Sequence, residues 1–336
     1  MPNIQDYVLW RGDLPIRQVP LCDVDALLLS YLSYMRYDGI VGDSFEGEGV
    51  RLADAAQELL DRNERDKMPL AYNAKEDRKL LAALIQSVRF ADMRLVGYVN
   101  QVDDKAEEQF SGVTFLIGDG SAFVAFRGTD DAMVGWKEDF NMSFEMQVPA
   151  QRDAVTYVEK ASAALRCPLR VGGHSKGGNL AAYAGMFVSD ETREYIQTVC
   201  NFDGPGFNEA TISSPDFGKV DMRVRTFVPQ CSMVGILMWH REPFTIVRSD
   251  GVGVFQHDAY TWQIMGGSFL TLRERTGHSH FADNTIKHWL EELTPDMRRQ
   301  VIDGIYSVLC ASEGKNVSEL FEARNAMSVL KAAGAM

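Results

Sequence analysis

Two kinds of hydrophobic pattern divide the chain. In the first ninety or so residues the apolar positions follow helical spacing. Val24, Leu27, Leu28, Tyr31, Leu32 and Met35 occupy i, i+3, i+4, i+7, i+8 and i+11, one stripe on an α-helix. They predict a helix over Asp23–Met35. Further helices are expected over Leu52–Asn63 and Lys75–Ser87, the second capped by Asn73, whose side-chain oxygen can accept from an orphan N–H. From Met93 the runs turn β-like. Arg94–Val102 predicts a strand, and Val113–Ile117 with Ala122–Phe126 a hairpin about Gly118-Asp119-Gly120.

Beyond the hairpin, strands and helices alternate. A helix over Gln151–Leu165 leads to a short strand, Leu169-Arg170-Val171, then a helical Asn179–Phe187. Strands follow at Thr198–Phe202 and Arg223–Val228, and Phe244–Val247 with Val252–Phe255 is expected to make a hairpin or edge pair. Helices are expected from Ala282 to the C-terminus, one opened by Thr294-Pro295 and the next near Ser318. This alternation implies an α/β fold with a mostly parallel central sheet covered by helices on both faces. Residues 1–92 are expected to form a helical N-terminal portion packed on the sheet and 93–336 the core with C-terminal helices, a single domain overall.

Composition narrows the possible partners. A net charge of −13 makes a nucleic-acid backbone an unfavourable one. The N-terminus carries Asp6, Arg11 and Asp13 without an apolar segment, so no signal peptide is expected, and the densest uncharged apolar run, Met233–Trp239, is too short to span a membrane. Five scattered cysteines without a C-x-x-C pair point to reduced thiols in a cytoplasmic protein rather than a disulfide frame or metal site. No cofactor or metal is called for, no stable membrane insertion is expected, and the oligomeric state stays open.

The candidate chemistry centres on Gly173-His174-Ser175-Lys176-Gly177, which fits G-x-S-x-G between a strand and a helix. A serine hydroxyl projects from such a turn, and glycines two positions either side remove the Cβ atoms that would collide. A phosphate-binding loop needs Gly-Lys-Ser/Thr, and here the order is Ser-Lys-Gly. A serine nucleophile requires a histidine base, and the base an acid that fixes its tautomer. Of six histidines, His257 is favoured because it follows a β-like run. His278-Ser279-His280 is the alternative, His288 sits on a predicted helix, His240 looks like part of a solvated turn, and the His174 side chain is expected to point away from Ser175. Asp203, at the end of the strand after the elbow helix, is the candidate acid, with Asp250 and Asp258 as alternatives. Oxyanion donors are expected at the Lys176 N–H and at Thr129, through its N–H and its hydroxyl.

Taken together, Phe123-Val124-Ala125-Phe126-Arg127-Gly128-Thr129 and the elbow resemble the α/β-hydrolase superfamily, and within it the class 3 lipase-like branch. Asp25-Ala26-Leu27 to Leu32-Ser33-Tyr34, Phe126 to Asp131, Gly135-Trp136-Lys137-Glu138-Asp139-Phe140 and Gln256-His257-Asp258 are similar to the bacterial Mbeg1-like family (DUF2974). The resemblance implies an α/β-hydrolase fold with Ser175 as nucleophile, His257 as base, and Thr129 and Lys176 at the oxyanion site. Lysine at 176 departs from the apolar residue usual in lipases, and the Asp-Val-Pro segment that carries their acid has no clear match. Two functions follow as expectations. One is a serine esterase or lipase acting on a small-molecule or lipid ester, with Met233–Trp239 as acyl pocket, lid or plain core. The other is a catalytically weak or inactive binding protein on the same fold.

Overall fold

A computed structural model describes residues 1–300, apart from 72, 104, 106, 130–132, 143, 144, 146, 278, 280–287, 289–291 and 295. The helices α1 (Ile4–Arg11), α2 (Asp23–Leu32), α3 (Leu52–Arg65) and α4 (Ala74–Ile85) precede the main strands, with a two-residue β1 (Val50–Arg51) among them. Then come β2 (Arg94–Asp103), β3 (Glu108–Leu116), β4 (Ala122–Phe126), α5 (Met133–Asn141), α6 (Pro149–Leu165), β5 (Leu169–His174), α7 (Lys176–Phe187), α8 (Asp190–Tyr195) and β6 (Ile196–Phe202). The short α9 (Glu209–Ile212), β7 (Val224–Pro229), β8 (Phe244–Val247), β9 (Ile264–Met265), β10 (Ser268–Phe269) and β11 (Thr271–Leu272) complete the set.

Nine strands form one sheet in the order β1-β2-β3-β4-β5-β6-β7-β8-β11. The pairings from β4 through β8 are parallel, and those outside this block antiparallel. The sheet is therefore more mixed than the sequence pattern suggests, because the β2–β3–β4 meander adds antiparallel strands at one side. Strand alternation divides its two faces. Phe123 and Ala125 of β4 point into a core shared with α1–α4, whereas Ala122, Val124 and Phe126 point into a second core with α6 and α7. Helices thus cover both faces, and the α/β-hydrolase expectation holds.

Residues 253–257 are not a strand. They form a turn of 3-10 helix, and β8 instead pairs with Thr271–Leu272. Gly253 at φ +58° breaks the extended run, and Gln256 Nε2 donates to the Gly251 carbonyl at 3.0 Å, closing the turn. The helices expected from Ala282 onward fall largely outside the described residues. Among those residues no helix is long and apolar enough to cross a membrane. Cys22, Cys167, Cys200 and Cys231 are free thiols, and Cys310 lies beyond the described span.

Candidate active site

The elbow sits at the carboxyl end of β5, in the middle of the parallel block, where α/β sheets open their ligand crevices. Ser175 adopts φ +58°, ψ −136°, a strained conformation for a residue with a side chain. The glycine spacing has a direct cause. A Cβ on Gly173 would lie 2.2 Å from the Gly177 backbone, and one on Gly177 2.1 Å from the Phe126 carbonyl oxygen. Ser175 N donates to the Phe202 carbonyl at 2.9 Å, tying the elbow to the end of β6. Helix α7 begins at Lys176, so its first N–H groups have no partners within the helix.

Asp203 follows β6 at φ +52° and is fully buried. Its Oδ1 accepts from Ser232 Oγ at 2.5 Å and Gly235 N at 3.1 Å. Its Oδ2 lies 2.6 Å from His257 Nδ1. A carboxylate in that position selects the tautomer with the proton on Nδ1 and leaves Nε2 as the basic nitrogen. The alternative acids are engaged elsewhere. Asp250 pairs with Gln263 and the N-terminal ammonium, and Asp258 caps the next turn by accepting from Tyr260 N at 2.9 Å.

His174 turns out to support His257. Its Nε2 lies 2.8 Å from the His257 carbonyl oxygen, an atom that only accepts, so the proton is assigned to Nε2 and Nδ1 accepts from Tyr34 Oη at 3.1 Å. The two imidazole centroids are 4.4 Å apart. Burial holds His174 well below the usual histidine range, with the charge of His257 acting in the same direction.

Gly128 brings the preceding loop against Ser175. A Cβ there would meet Tyr34 Oη at 2.2 Å and Ser175 Cβ at 2.9 Å. The Thr129 hydroxyl, expected as an oxyanion donor, instead donates to Asp139 Oδ2 at 2.5 Å, so only its N–H is left for that role. Lys176 is almost wholly buried. Its ammonium donates to Glu138 Oε2 at 2.9 Å and to the Gln109 carbonyl at 3.0 Å, and lies 3.7 Å from Asp139 Oδ1. Burial pushes the Asp139 carboxyl up to about 6, against the pull of Lys176 and Thr129. Glu138 and Asp139 were not among the residues the sequence pattern singled out for the site. The one signal for them was their place in the Gly135–Phe140 stretch that resembles the family.

A family model for Mbeg1-like proteins matches residues 84–307, two thirds of the chain. The chain belongs to the Mbeg1-like family. No curated protein matches it in sequence. Among solved structures this Mbeg1-like chain is similar to the M37 lipase, at 14% identity and TM-score 0.35 over 62% of the chain. It is also similar to a Rhizomucor miehei lipase in its propeptide complex, at 12% identity and TM-score 0.34 over 58%. The chain spans 66% of the length of each.

The other expected residues of the Mbeg1-like chain lie apart from this cluster. His240 is not in a solvated turn. Its side chain is largely covered, with Nδ1 3.1 Å from Glu242 Oε1, and although burial works to raise Glu242, His240 and Thr226 hold that carboxyl at about 2. His288 is exposed beside Glu292, and His278 and His280 lie outside the described residues. The Met233–Trp239 run is core only in part, with Met233, Val234, Leu237 and Trp239 half-buried. Ile236 and Met238 are buried, Met238 packs with Met142 and Val148, and the Gly235 N–H braces Asp203.

Proposed function

We propose that this chain is a serine hydrolase that cleaves a carboxylic ester through an acyl-enzyme on Ser175, with His257 as base and Asp203 as its acid. The observation that carries the reading is the 2.6 Å pairing of His257 Nδ1 with the buried Asp203 carboxylate, one strand away from a serine at positive φ. In the first step His257 Nε2 takes the hydroxyl proton as Ser175 Oγ bonds to the carbonyl carbon. The tetrahedral oxyanion rests on the Lys176 and Thr129 N–H groups. The imidazolium then gives its proton to the departing alkoxide. Water, deprotonated by the same nitrogen, later releases the acid and restores Ser175. Asp203 keeps the ring in its tautomer and offsets the imidazolium charge.

An acyl or lipid-like ester is supported by the turn just before His257. Val252, Val254 and Phe255 are 80%, 58% and 74% exposed there, an apolar cluster beside the base. The test is fluorophosphonate labelling of wild type beside Ser175→Ala and His257→Ala. The expected result is labelling of wild type alone, followed by hydrolysis in a panel of esters of graded acyl length. A folded wild type that stays unlabelled with and without detergent would overturn the reading in favour of a binding protein on the same fold.

A further inference from the structure

The Lys176 ammonium is an unusual group to find beside a nucleophile. Its side chain is 1% exposed, and that of its partner Glu138 is 0% exposed. Withdrawing two charges from water is costly, and an apolar side chain of similar volume would often stabilise the fold as well or better. The best-attested use of a buried ion pair is to impose one register on the elements it joins. The register at stake here is that of α5 against the elbow.

The contacts converge on that junction. Glu138 Oε2 accepts from Lys176 Nζ at 2.9 Å and from Gln109 N of β3 at 3.0 Å, and its Oε1 accepts from Ala150 N at the start of α6 at 2.9 Å. One carboxylate therefore joins β3, α5, α6 and the residue after the nucleophile. Its neighbour Asp139 holds the Thr129 hydroxyl at 2.5 Å, while its Oδ1, which accepts no hydrogen bond, lies 3.7 Å from the Lys176 ammonium. Helix α5 begins at Met133, four residues after Thr129. The two backbone N–H groups assigned to the oxyanion thus sit on residues whose side chains meet in a single ion cluster, buried at Lys176 and Glu138 and partly open at Asp139.

We infer that the Lys176 side chain is a positioning residue, whose ammonium locks α5 to the elbow through Glu138 and so fixes Thr129 relative to Ser175. Its catalytic consequence rests on the hydrolase reading, whereas the clamp rests on the contacts alone. A displacement of the donor by about 1 Å would slow acylation by about 10- to 100-fold.

The test separates charge burial from positioning. Lys176→Met leaves Glu138 buried and unpaired, and a lower melting temperature is expected. Lys176→Met/Glu138→Gln removes both charges, and the melting temperature is expected to recover. In that folded double variant the maximal rate of Ser175 labelling by fluorophosphonate should fall about 10- to 100-fold, with the probe concentration for half-maximal rate little changed. Amide exchange across residues 127–141 should become faster. A double variant with wild-type labelling and wild-type exchange would overturn the inference. If the wild type itself does not label, the hydrolase reading fails, and exchange over 127–141 alone decides the clamp, faster sustaining it and unchanged ending it. Glu138→Gln, which keeps the shape and one of the two acceptor oxygens, should shift both readings the same way by less. It stands in should the double variant not fold, and no shift in either reading would then overturn the inference.

Discussion

At the scale of single residues, the chain showed its chemistry where local backbone demands are strict. Gly173, Ser175 and Gly177 are legible because the turn leaves no room for a Cβ on either glycine. Asp203 follows from its place at the end of β6, whereas His257 was expected after a strand and lies instead at the end of a 3-10 turn. Which acid faces which ring depends on a contact across 54 residues that no local pattern encodes. Lys176 was legible only as a departure, since its partner lies 38 residues away on a helix without a clear stripe. Asp139 gives a prediction at this scale. Burial, with the neighbouring Glu138 acting in the same direction, pushes the Asp139 carboxyl from the ordinary 3.8 up to about 6 against the opposing pull of Lys176, Thr129 and His257. The fold therefore binds more protons than the unfolded chain between those values, and stability falls as pH rises through them. Two units correspond to about 3 kcal/mol, and the group's partial exposure reduces this to about 1–2 kcal/mol. Asp139→Asn should remove that slope, so its stability relative to wild type should improve by about 1–2 kcal/mol between pH 4 and pH 7.5. Urea denaturation at several pH values checks this, and parallel curves for the two proteins would count against it.

At the scale of elements, periodic segments were readable and short ones were not. Helices α2, α3 and α4 appear close to where their stripes predicted them, with Asn73 accepting from Glu76 N at the head of α4. Helices α1, α5 and α8 were missed as individual elements. They run to 8, 9 and 6 residues, too short for an apolar stripe to stand out. What fixes the N-terminal elements is polar and non-local. The Arg89 guanidinium donates to Asp25 Oδ1 at 2.8 Å and Oδ2 at 2.5 Å, and to the carbonyls of Leu14, Val19 and Pro20 at 2.9–3.2 Å. Tyr7 Oη of α1 donates to the same carboxylate at 2.8 Å. Both side chains of the ion pair are fully buried. Arg89→Met would strand a buried carboxylate and three carbonyls, and should destabilise the chain by about 3–5 kcal/mol. Arg89→Met/Asp25→Asn should regain a large part of that in urea denaturation. Equal losses in the single and double variants would mean that the carbonyl contacts, not the charge pair, do the holding.

At the scale of the whole molecule, the question is whether residues 1–92 are an appendage or part of the machine. Two observations favour the second. The core on one face of the sheet is built jointly, with Leu27, Leu28 and Leu81 in the same apolar cluster as Phe115, Phe123 and Phe202. The site itself is braced from this region, since Tyr34 Oη reaches His174 Nδ1 at 3.1 Å and lies where a side chain on Gly128 would go. A sheet stripped of those helices would expose one whole apolar face, a loss far larger than the few kcal/mol by which domains of this size are stable. Residues 93–336 expressed alone should therefore yield no soluble, labelling-competent protein. In the intact chain, unfolding in urea should remove the far-ultraviolet helical signal and Ser175 labelling at one midpoint. Tyr34→Phe keeps the packing but deletes the hydroxyl, and should slow labelling at an unchanged midpoint, because the lost bond orients His174 rather than holding the core. Labelling that survives past the loss of helical signal would instead mark the sheet and its elbow as a unit that folds without its N-terminal helices.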